Sequence, residues 1–334
     1  MDATDRQLLA RLEDGLEIVA RPLEKLAEPM GLDLPALLRR LEQLAGPQGL
    51  IRQISGIFQA SGFGYSQTLA AMQLAPDKLD AAGDIVACHP GVSHCYSRAG
   101  SWNLWFTLAV SDRSRLGCEG TIRTLARQTG AAAWMDLPTL RRYKLRVRFG
   151  SSSDAATAQP PQPGPIEITG TIARTVRALQ LPMPIVAEPF ARLAEIAHLP
   201  RQTLLQTARS LHESGHLRRY SAVLQHRRAG ARANLLAAWQ VAPDAADASG
   251  QAMAASPAVS HCYLRPARAD WPWNLYTMIH GRSEQQCRQT VETLAETTGL
   301  DQPRMLWTRR EYKKRRLLLL TDDEARWEAA CRQG

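Results

Sequence analysis

Apolar residues recur at helical spacing through the first fifty positions. DRQLLARLEDG (residues 5–15) is amphipathic and stops at Gly15. RPLEKLAEPMGL (21–32) predicts a short helix and a turn. DLPALLRRLEQLAGPQG (33–49) predicts a second helix, with Asp33 and Pro35 as its start signals. The pattern then changes period, and LIRQISGIF (50–58) alternates like a strand. Three helices followed by a strand form a winged helix-turn-helix. Beyond it the pattern predicts, in order, a strand (SQTLAAMQLA, 66–75), a helix (DKLDAAGDIVACH, 77–89), strands VSHCYSR (92–98) and WNLWFTLAV (102–110), a helix (SRLGCEGTIRTLARQTG, 114–130) and a strand in the 140s. A β-α-β-β-α-β order builds a ferredoxin-like sheet with both helices on one face and the other face open.

The same order returns. EPFARLAEIAHLPRQTLLQTARSLHESGHLRRYSAVL (188–224) repeats the helical segment, and AVSHCYLR (258–265) repeats GVSHCYSR (91–98). SWNLWFTLAV (101–110) has its counterpart in PWNLYTMIHG (272–281), LIRQISGIFQ (50–59) in HLRRYSAVLQ (216–225), and LPTLRRYKLRVRF (137–149) in LWTRREYKKRRLLL (306–319). The chain is therefore read as a tandem duplication, an α+β protein and an intrachain pseudo-dimer, with further self-association left open. SSSDAATAQPPQPGP (151–165), polar and with four prolines, reads as an exposed linker. The expected domains are a winged helix-turn-helix at 1–60, a ferredoxin-like domain at 61–150, the linker at 151–165, a second winged helix-turn-helix at 166–226 and a second ferredoxin-like domain at 227–334.

Strict alternation in VSHCYSR puts Val92, His94, Tyr96 and Arg98 on one face and Ser93, Cys95 and Ser97 on the other. In the next strand Leu104, Phe106 and Leu108 suit the helix-covered core, leaving Asn103, Trp105 and Thr107 opposite. Small Ser and Cys side chains fit beneath helices. That turns His94, Tyr96 and Arg98 to the open face, and by the same logic His261, Tyr263 and Arg265. Two such faces brought together would enclose a cleft lined twice by His, Tyr and Arg.

Composition narrows the chemistry only a little. A net charge of +9 calls for an acidic partner: nucleic acid, anionic lipid, or a polycarboxylate or phosphorylated ligand. The six cysteines include no CxxC pair, which favours reduced structural thiols in the cytoplasm and no protein-bound metal. No apolar run is long enough to span a bilayer, and the acidic, amphipathic start is unlike a secretory signal.

A winged helix-turn-helix followed by βαββαβ resembles the Lrp/AsnC family, and 193–224 resembles its DNA-binding segment. GVSHCYSR…WNLWFTL and HLRRYSAVLQHRRAG…LLAAW (216–239) resemble its enzymatic branch, the siroheme decarboxylases, here with two partner subunits fused as in the NirD–NirL type. The resemblance covers nearly the whole chain apart from the linker. It implies a carboxy-lyase that removes CO2 from the C12 and C18 acetates of siroheme to give 12,18-didecarboxysiroheme. No added cofactor is implied, because the iron arrives with the substrate. Histidine titrates near neutrality and suits proton delivery; arginine offers a planar fork for carboxylates. His94, His226 and His261 are the candidate catalytic residues. Arg98, Arg265, Tyr96, Tyr263, Arg227, Trp105 and Tyr276 are the candidate substrate contacts, with Trp105 and Tyr276 expected to stack on the macrocycle.

The rival reading is a DNA-binding regulator sensing a tetrapyrrole or other small molecule. Against it, the first recognition-helix candidate starts with Asp33 and apolar residues where phosphate contacts are needed. The second keeps Arg201, Gln202, Thr203 and Gln206, and is more DNA-like. DNA is not the expected partner.

Overall fold

The structure is a computed structural model that describes residues 1–46, 49–145, 163–224 and 233–332. Most of the predicted linker (151–162), together with His226 and Arg227, lies outside the described residues. In copy one the elements run α1 (Ala3–Asp14), α2 (Pro22–Ala27), α3 (Leu34–Ala45), β1 (Ile51–Phe58), β2 (Tyr65–Gln73), α4 (Leu79–Cys88), β3 (Val92–Arg98), β4 (Leu104–Ser111), α5 (Gly117–Thr129), β5 (Ala133–Pro138) and β6 (Arg141–Leu145). Copy two repeats the order with α6 (Gly170–Leu179), α7 (Pro189–Ile196), α8 (Arg201–Glu213), β7 (Leu217–Leu224), β8 (Ala233–Trp239), α9 (Ala246–Ala255), β9 (Val259–Leu264), β10 (Leu275–Gly281), α10 (Glu284–Thr298) and β11 (Arg304–Lys314). A last helix, α11 (Asp323–Ala330), closes the described chain. Among the described residues no helix is long and apolar enough to cross a membrane.

Contacts divide the chain into two units. One holds residues 1–65, 150–228 and 318–322; the other holds 66–149, 229–317 and 323–334. In the first unit β1 and β7 pair antiparallel, with Ile54 opposite Ala222 and Gly56 opposite Tyr220. Each copy's first helix packs on the other copy's strand, α1 on β7 and α6 on β1. Helix starts follow their sequence signals. Asp2 and Asp33 accept hydrogen bonds from the amides of Asp5 and Ala36, capping α1 and α3.

The second unit carries a nine-stranded antiparallel sheet in the order β5-β2-β4-β3-β11-β8-β10-β9-β6. Each copy supplies four strands in ferredoxin-like order, β5-β2-β4-β3 and β11-β8-β10-β9. The copies join by exchanging their last strands. Residues 304–307 of β11 pair with β8 of their own copy, and the continuation pairs with β3 of copy one. β6 leaves copy one after β5 and pairs with β9 of copy two. The two ends of the order, β5 and β6, are thus consecutive in the chain, and the sheet curls round on itself.

The exchanged strands are keyed in the same way at both places. The Tyr312 ring lies over Gly83 of α4, where a Cβ would fall 2.5 Å from ring atoms; the Tyr143 ring lies equally close over Gly250 of α9. The Tyr312 hydroxyl donates to Asp80 (2.6 Å) and the Tyr143 hydroxyl to Asp247 (2.6 Å). Arg310 and Arg141 pair with the same carboxylates. Lys313 and Lys144 donate to the carbonyls at the ends of the two helices, His89 (2.8 Å) and Ser256 (2.6 Å). The repeated RRYK/RREYK text is therefore a docking key, which accounts for the placement of Arg310 and Lys313 without a ligand.

Alternation sorts the cores as the sequence implies. Leu104, Phe106 and Leu108 of β4 pack beneath α4 and α5 with Val86, Ile122 and Leu125. Leu275 and Ile279 of β10 pack beneath α9 and α10 with Met253, Val291 and Leu294. On the opposite face a third cluster joins the copies: Trp102, Trp105, Met135 and Leu137 from copy one meet Trp271, Tyr276 and Leu306 from copy two. Val92 departs from the expected alternation. The register slips between Val92 and His94, and Val92 joins the helix-side core with Cys95. Val259 does the same ahead of His261.

Gly83→Ala and Gly250→Ala should each push a tyrosine out of its seat and lower stability by about 1–3 kcal/mol, the usual cost of overpacking. A thermal melt checks this, and an unchanged midpoint for both variants would contradict the keyed exchange.

Candidate active site

The register slips that displace Val92 and Val259 re-aim the next residues of each strand. A bulge puts two consecutive residues against one on the neighbouring strand, so side chains of adjacent positions share a side. At β3 this brings Ser93 and His94 together, Oγ to Nδ1 3.0 Å. At β9 it brings Ser260 and His261 together at 2.8 Å. Each imidazole is thereby held through Nδ1. Each histidine is succeeded on its strand by a tyrosine ring, with centroids 6.2 Å apart for His94–Tyr96 and 6.1 Å for His261–Tyr263. In the sheet order β11, β8 and β10 lie between the two strands, and charge on His94 still contributes to the field at His261. Each His-Tyr strand has a neighbour on both sides, β3 between β4 and β11 and β9 between β10 and β6.

The support given to each serine differs between the copies. In copy one Ser93 Oγ lies 2.7 Å from Thr107 Oγ1, and the same threonine hydroxyl accepts from the His94 amide at 3.1 Å. In copy two Ser260 Oγ lies 2.9 Å from His280 Nε2, and His280 Nδ1 lies 2.6 Å from Asn234 Oδ1. The position matching His280, six residues beyond the WNL asparagine, is Ala109 in copy one. Ser93, Thr107, Ser260, His280 and Asn234 were not among the expected site residues. The Ser-His dipeptide in both repeated strings was the available signal; the bulge that makes it matter leaves no mark in the alternation.

Electrostatics follow from burial. His261 is held well below the ordinary histidine value, at about 4, mainly because burial penalises its charged form and then because His280 and His94 stand near it. It is neutral at pH 7 in the protein alone, so it does not titrate near neutrality as the sequence reading expected. His89 is pushed down to about 3 by burial and by Lys313. It accepts from the Gly91 amide (3.0 Å) and meets the Trp327 ring edge-on at 4.2 Å, a structural role at the end of α4.

Four expected contacts are placed elsewhere. Arg98 and Arg265 are 6 % and 7 % exposed, and their guanidinium groups do not stand open to a ligand. Arg98 Nη1 donates to the Leu306 carbonyl (2.8 Å) and to Thr308 Oγ1 (3.2 Å), across the copy boundary. Arg265 Nη1 donates to the Leu137 carbonyl in the mirror arrangement. Charged hydrogen bonds of about 1.5–3 kcal/mol each offset part of the cost of burying the cation, and each guanidinium also lies over its neighbouring tyrosine ring. Both arginines are fasteners for the exchanged strands rather than carboxylate clamps.

Trp105 and Tyr276 are each 1 % exposed, inside the cluster between the copies. Trp105 Nε1 donates to the Trp102 carbonyl (2.7 Å), and the Tyr276 hydroxyl accepts from Trp271 (2.7 Å) and donates to Trp273 (3.0 Å). Large aromatics in a curled sheet fill its inside, and these two have no face left for a macrocycle. The repeated WNL asparagine is a backbone clip. Asn103 bonds both polar groups of Leu74, and Asn274 both polar groups of Val241.

Half-buried Tyr96 and Tyr263 remain beside the histidines. Their cross-strand partners differ: Glu311 stands opposite Tyr96, and Arg142 opposite Tyr263. Among the described residues no group of three His, Cys, Asp or Glu could hold a metal ion.

A family model of the AsnC-like ligand binding domain matches residues 62–144 and again 228–313. The siroheme decarboxylase of Hydrogenobacter thermophilus is 32% identical over 324 residues, 96% of this chain and 96% of that one. The siroheme decarboxylase beta subunit of Oleidesulfovibrio alaskensis is 39% identical over 147 residues, which is 44% of this chain and 93% of its own. The crystal structure of the siroheme decarboxylase NirDL in co-complex with an iron-uroporphyrin III analogue has a TM-score of 0.81 at 28% identity, with 99% of each chain covered.

The lowered histidine pKa values make stability depend on pH. Because the folded pKa of His261 (about 4) lies below the ordinary 6.5, the unfolded chain takes up the proton first as pH falls. Its contribution is level above pH 6.5 and is lost progressively between 6.5 and 4, with His89 acting in the same direction. Urea midpoints at pH 7 and pH 4.5 should differ, and less so for His261→Asn. An equal fall in wild type and variant would contradict this assignment.

Proposed function

The chain belongs to the siroheme decarboxylase family, and on that footing we propose that it removes the C12 and C18 acetate carboxyls of siroheme as CO2, leaving 12,18-didecarboxysiroheme. The observation that carries the reading is the pair of serine-held histidines on β3 and β9, each succeeded by a half-buried tyrosine. A relative crystallised with an iron-uroporphyrin III analogue supports a macrocyclic polycarboxylate as ligand, and the +9 charge suits a polyanion.

The chemistry assigns distinct tasks. Loss of CO2 leaves the electron pair of the broken C–C bond on the methylene carbon or delocalised into the pyrrole. Replacement of CO2 by a proton completes the new methyl group, and the exchange is redox-neutral. His261 is bound through Nδ1 to Ser260, so Nε2 is the nitrogen that addresses the substrate. Neutral at first, it becomes an acid when the substrate's carboxylates arrive, because nearby negative charge favours the imidazolium. His94 holds the equivalent position on β3 of copy one. Tyr96 and Tyr263 offer hydroxyls to side-chain carboxylates, and Arg142, opposite Tyr263, offers a charge to one of them. The iron is part of the substrate, and the chain needs no cofactor of its own. His226 and Arg227 stay candidates from sequence alone.

For the regulator reading the helix starts are poorly furnished. Asp33 caps α3 with a carboxylate, and Arg201 at the start of α8 is paired with Glu188 at 2.6 Å. We take the helical unit as scaffold.

Anaerobic incubation of the purified chain with siroheme, with mass spectrometry of the tetrapyrrole afterwards, should show loss of two CO2. His261→Ala should slow it by about 10²–10⁴-fold, the range for a positioned proton donor. Siroheme recovered at unchanged mass would contradict the reading.

A further inference from the structure

The two histidine strands descend from one sequence, yet among the described residues a second imidazole backs the serine in copy two alone. Asn234 Oδ1, His280 Nδ1, His280 Nε2, Ser260 Oγ and His261 Nδ1 form an unbroken file with separations of 2.6, 2.9 and 2.8 Å. Three elements contribute: Asn234 from β8, His280 from β10, and Ser260 with His261 from β9. Their register is fixed by the sheet, with His280 opposite Asn234 and Met278 opposite His261. Copy one has Ala109 at the position of His280 and ends its file at the Thr107 hydroxyl.

We propose that Asn234, His280 and Ser260 are a proton relay to His261, which makes copy two the half of the molecule that supplies the proton replacing CO2. The inference rests on the decarboxylase reading above and adds residues that do not themselves touch substrate. The file has a direction. With Oδ1 as its acceptor, His280 Nδ1 must carry a hydrogen, so the proton that can leave protonated His280 is the one on Nε2. It passes to Ser260 Oγ, the serine hydroxyl proton passes to His261 Nδ1, and the proton on His261 Nε2 goes to the substrate carbon that has lost CO2. One proton enters at His280 and one leaves to carbon. No electron is gained or lost, and His261 ends neutral on its other tautomer.

Charged and titratable groups around His261 fit this flow. On its own strand it has Tyr263; on β10 it has His280; on β3, His94; and on β6, Arg142 stands opposite Tyr263, while Lys144 reaches away to the end of α9. None of these described neighbours is a carboxylate that would hold the proton back from the substrate. In copy one Glu311 stands opposite Tyr96, a second reason why a carboxylate arm is better received in copy two.

The test uses the full chain with siroheme. His280→Ala and Ser260→Ala, each checked for a native circular-dichroism spectrum and melt, should lower kcat by at least about tenfold with KM little changed, because neither residue binds substrate. In mixed H2O/D2O the wild-type rate should bend with deuterium fraction, as when several protons move together, and the bend should straighten in both variants. A purely structural role would not move that curve. If both variants fold and keep the wild-type kcat and proton inventory, the relay is wrong. A second readout needs no turnover. With nitrogen-15-labelled histidine, the titrations of His261 and His280 should be coupled in wild type and uncoupled in Ser260→Ala. Independent titration in wild type would overturn the relay. Coupled titration in a protein that leaves siroheme unchanged would overturn the decarboxylase reading and leave the relay standing.

Discussion

Everything at the site depends on one constraint: β3 and β9 would be sheet edges if each copy kept its last strand to itself. An edge strand exposes a row of unpaired amides and carbonyls and tolerates slippage. Here each edge is covered by the other copy's last strand, β11 on β3 and β6 on β9. The strands bearing the histidines therefore have neighbours on both sides. Side chains mounted on such strands are held more closely than side chains on loops, and a decarboxylase that must deliver a proton to one carbon needs that precision. The tyrosine keys over Gly83 and Gly250 and the buried guanidinium groups of Arg98 and Arg265 fasten the exchange.

The exchange also explains why residues that look chemical in sequence are structural. Arg98, Arg265, Trp105, Tyr276, Asn103 and Asn274 recur because both copies must make the same joint. Duplication preserves whatever holds two halves together, and recurrence alone marks that as strongly as it marks catalysis. The positions that have diverged carry other information: His280 against Ala109, and Arg142 against Glu311. Those differences make two joints of one design chemically unequal.

The element order was legible because helix and strand periods are local properties of the chain, except that copy one closes its own sheet with β5 at Ala133–Pro138 and not with the expected strand in the 140s. The duplication was legible because the strings around His94 and His261 survive nearly intact, and the sorting of Leu104, Phe106 and Leu108 from Trp105 came from alternation. The bulges were not legible, since one extra residue in a strand looks like a defect in a period-2 pattern; Val92 was misplaced for that reason. Nor could any local pattern reveal that β6 and β11 cross between copies, so Arg98 and Arg265 could not be seen to meet the carbonyls of Leu306 and Leu137. The depressed pKa of His261 is likewise a product of burial and of neighbours from two other strands.

The most direct test of the central claim is to place a protease site within 151–162, cleave the purified chain, and measure its size and siroheme decarboxylation together. If the exchanged strands build the site, the cleaved halves stay together through dilution and size-exclusion chromatography and keep the activity of the intact chain. Halves that separate while each remains folded would contradict it, because β3 and β9 would then be complete without the other copy.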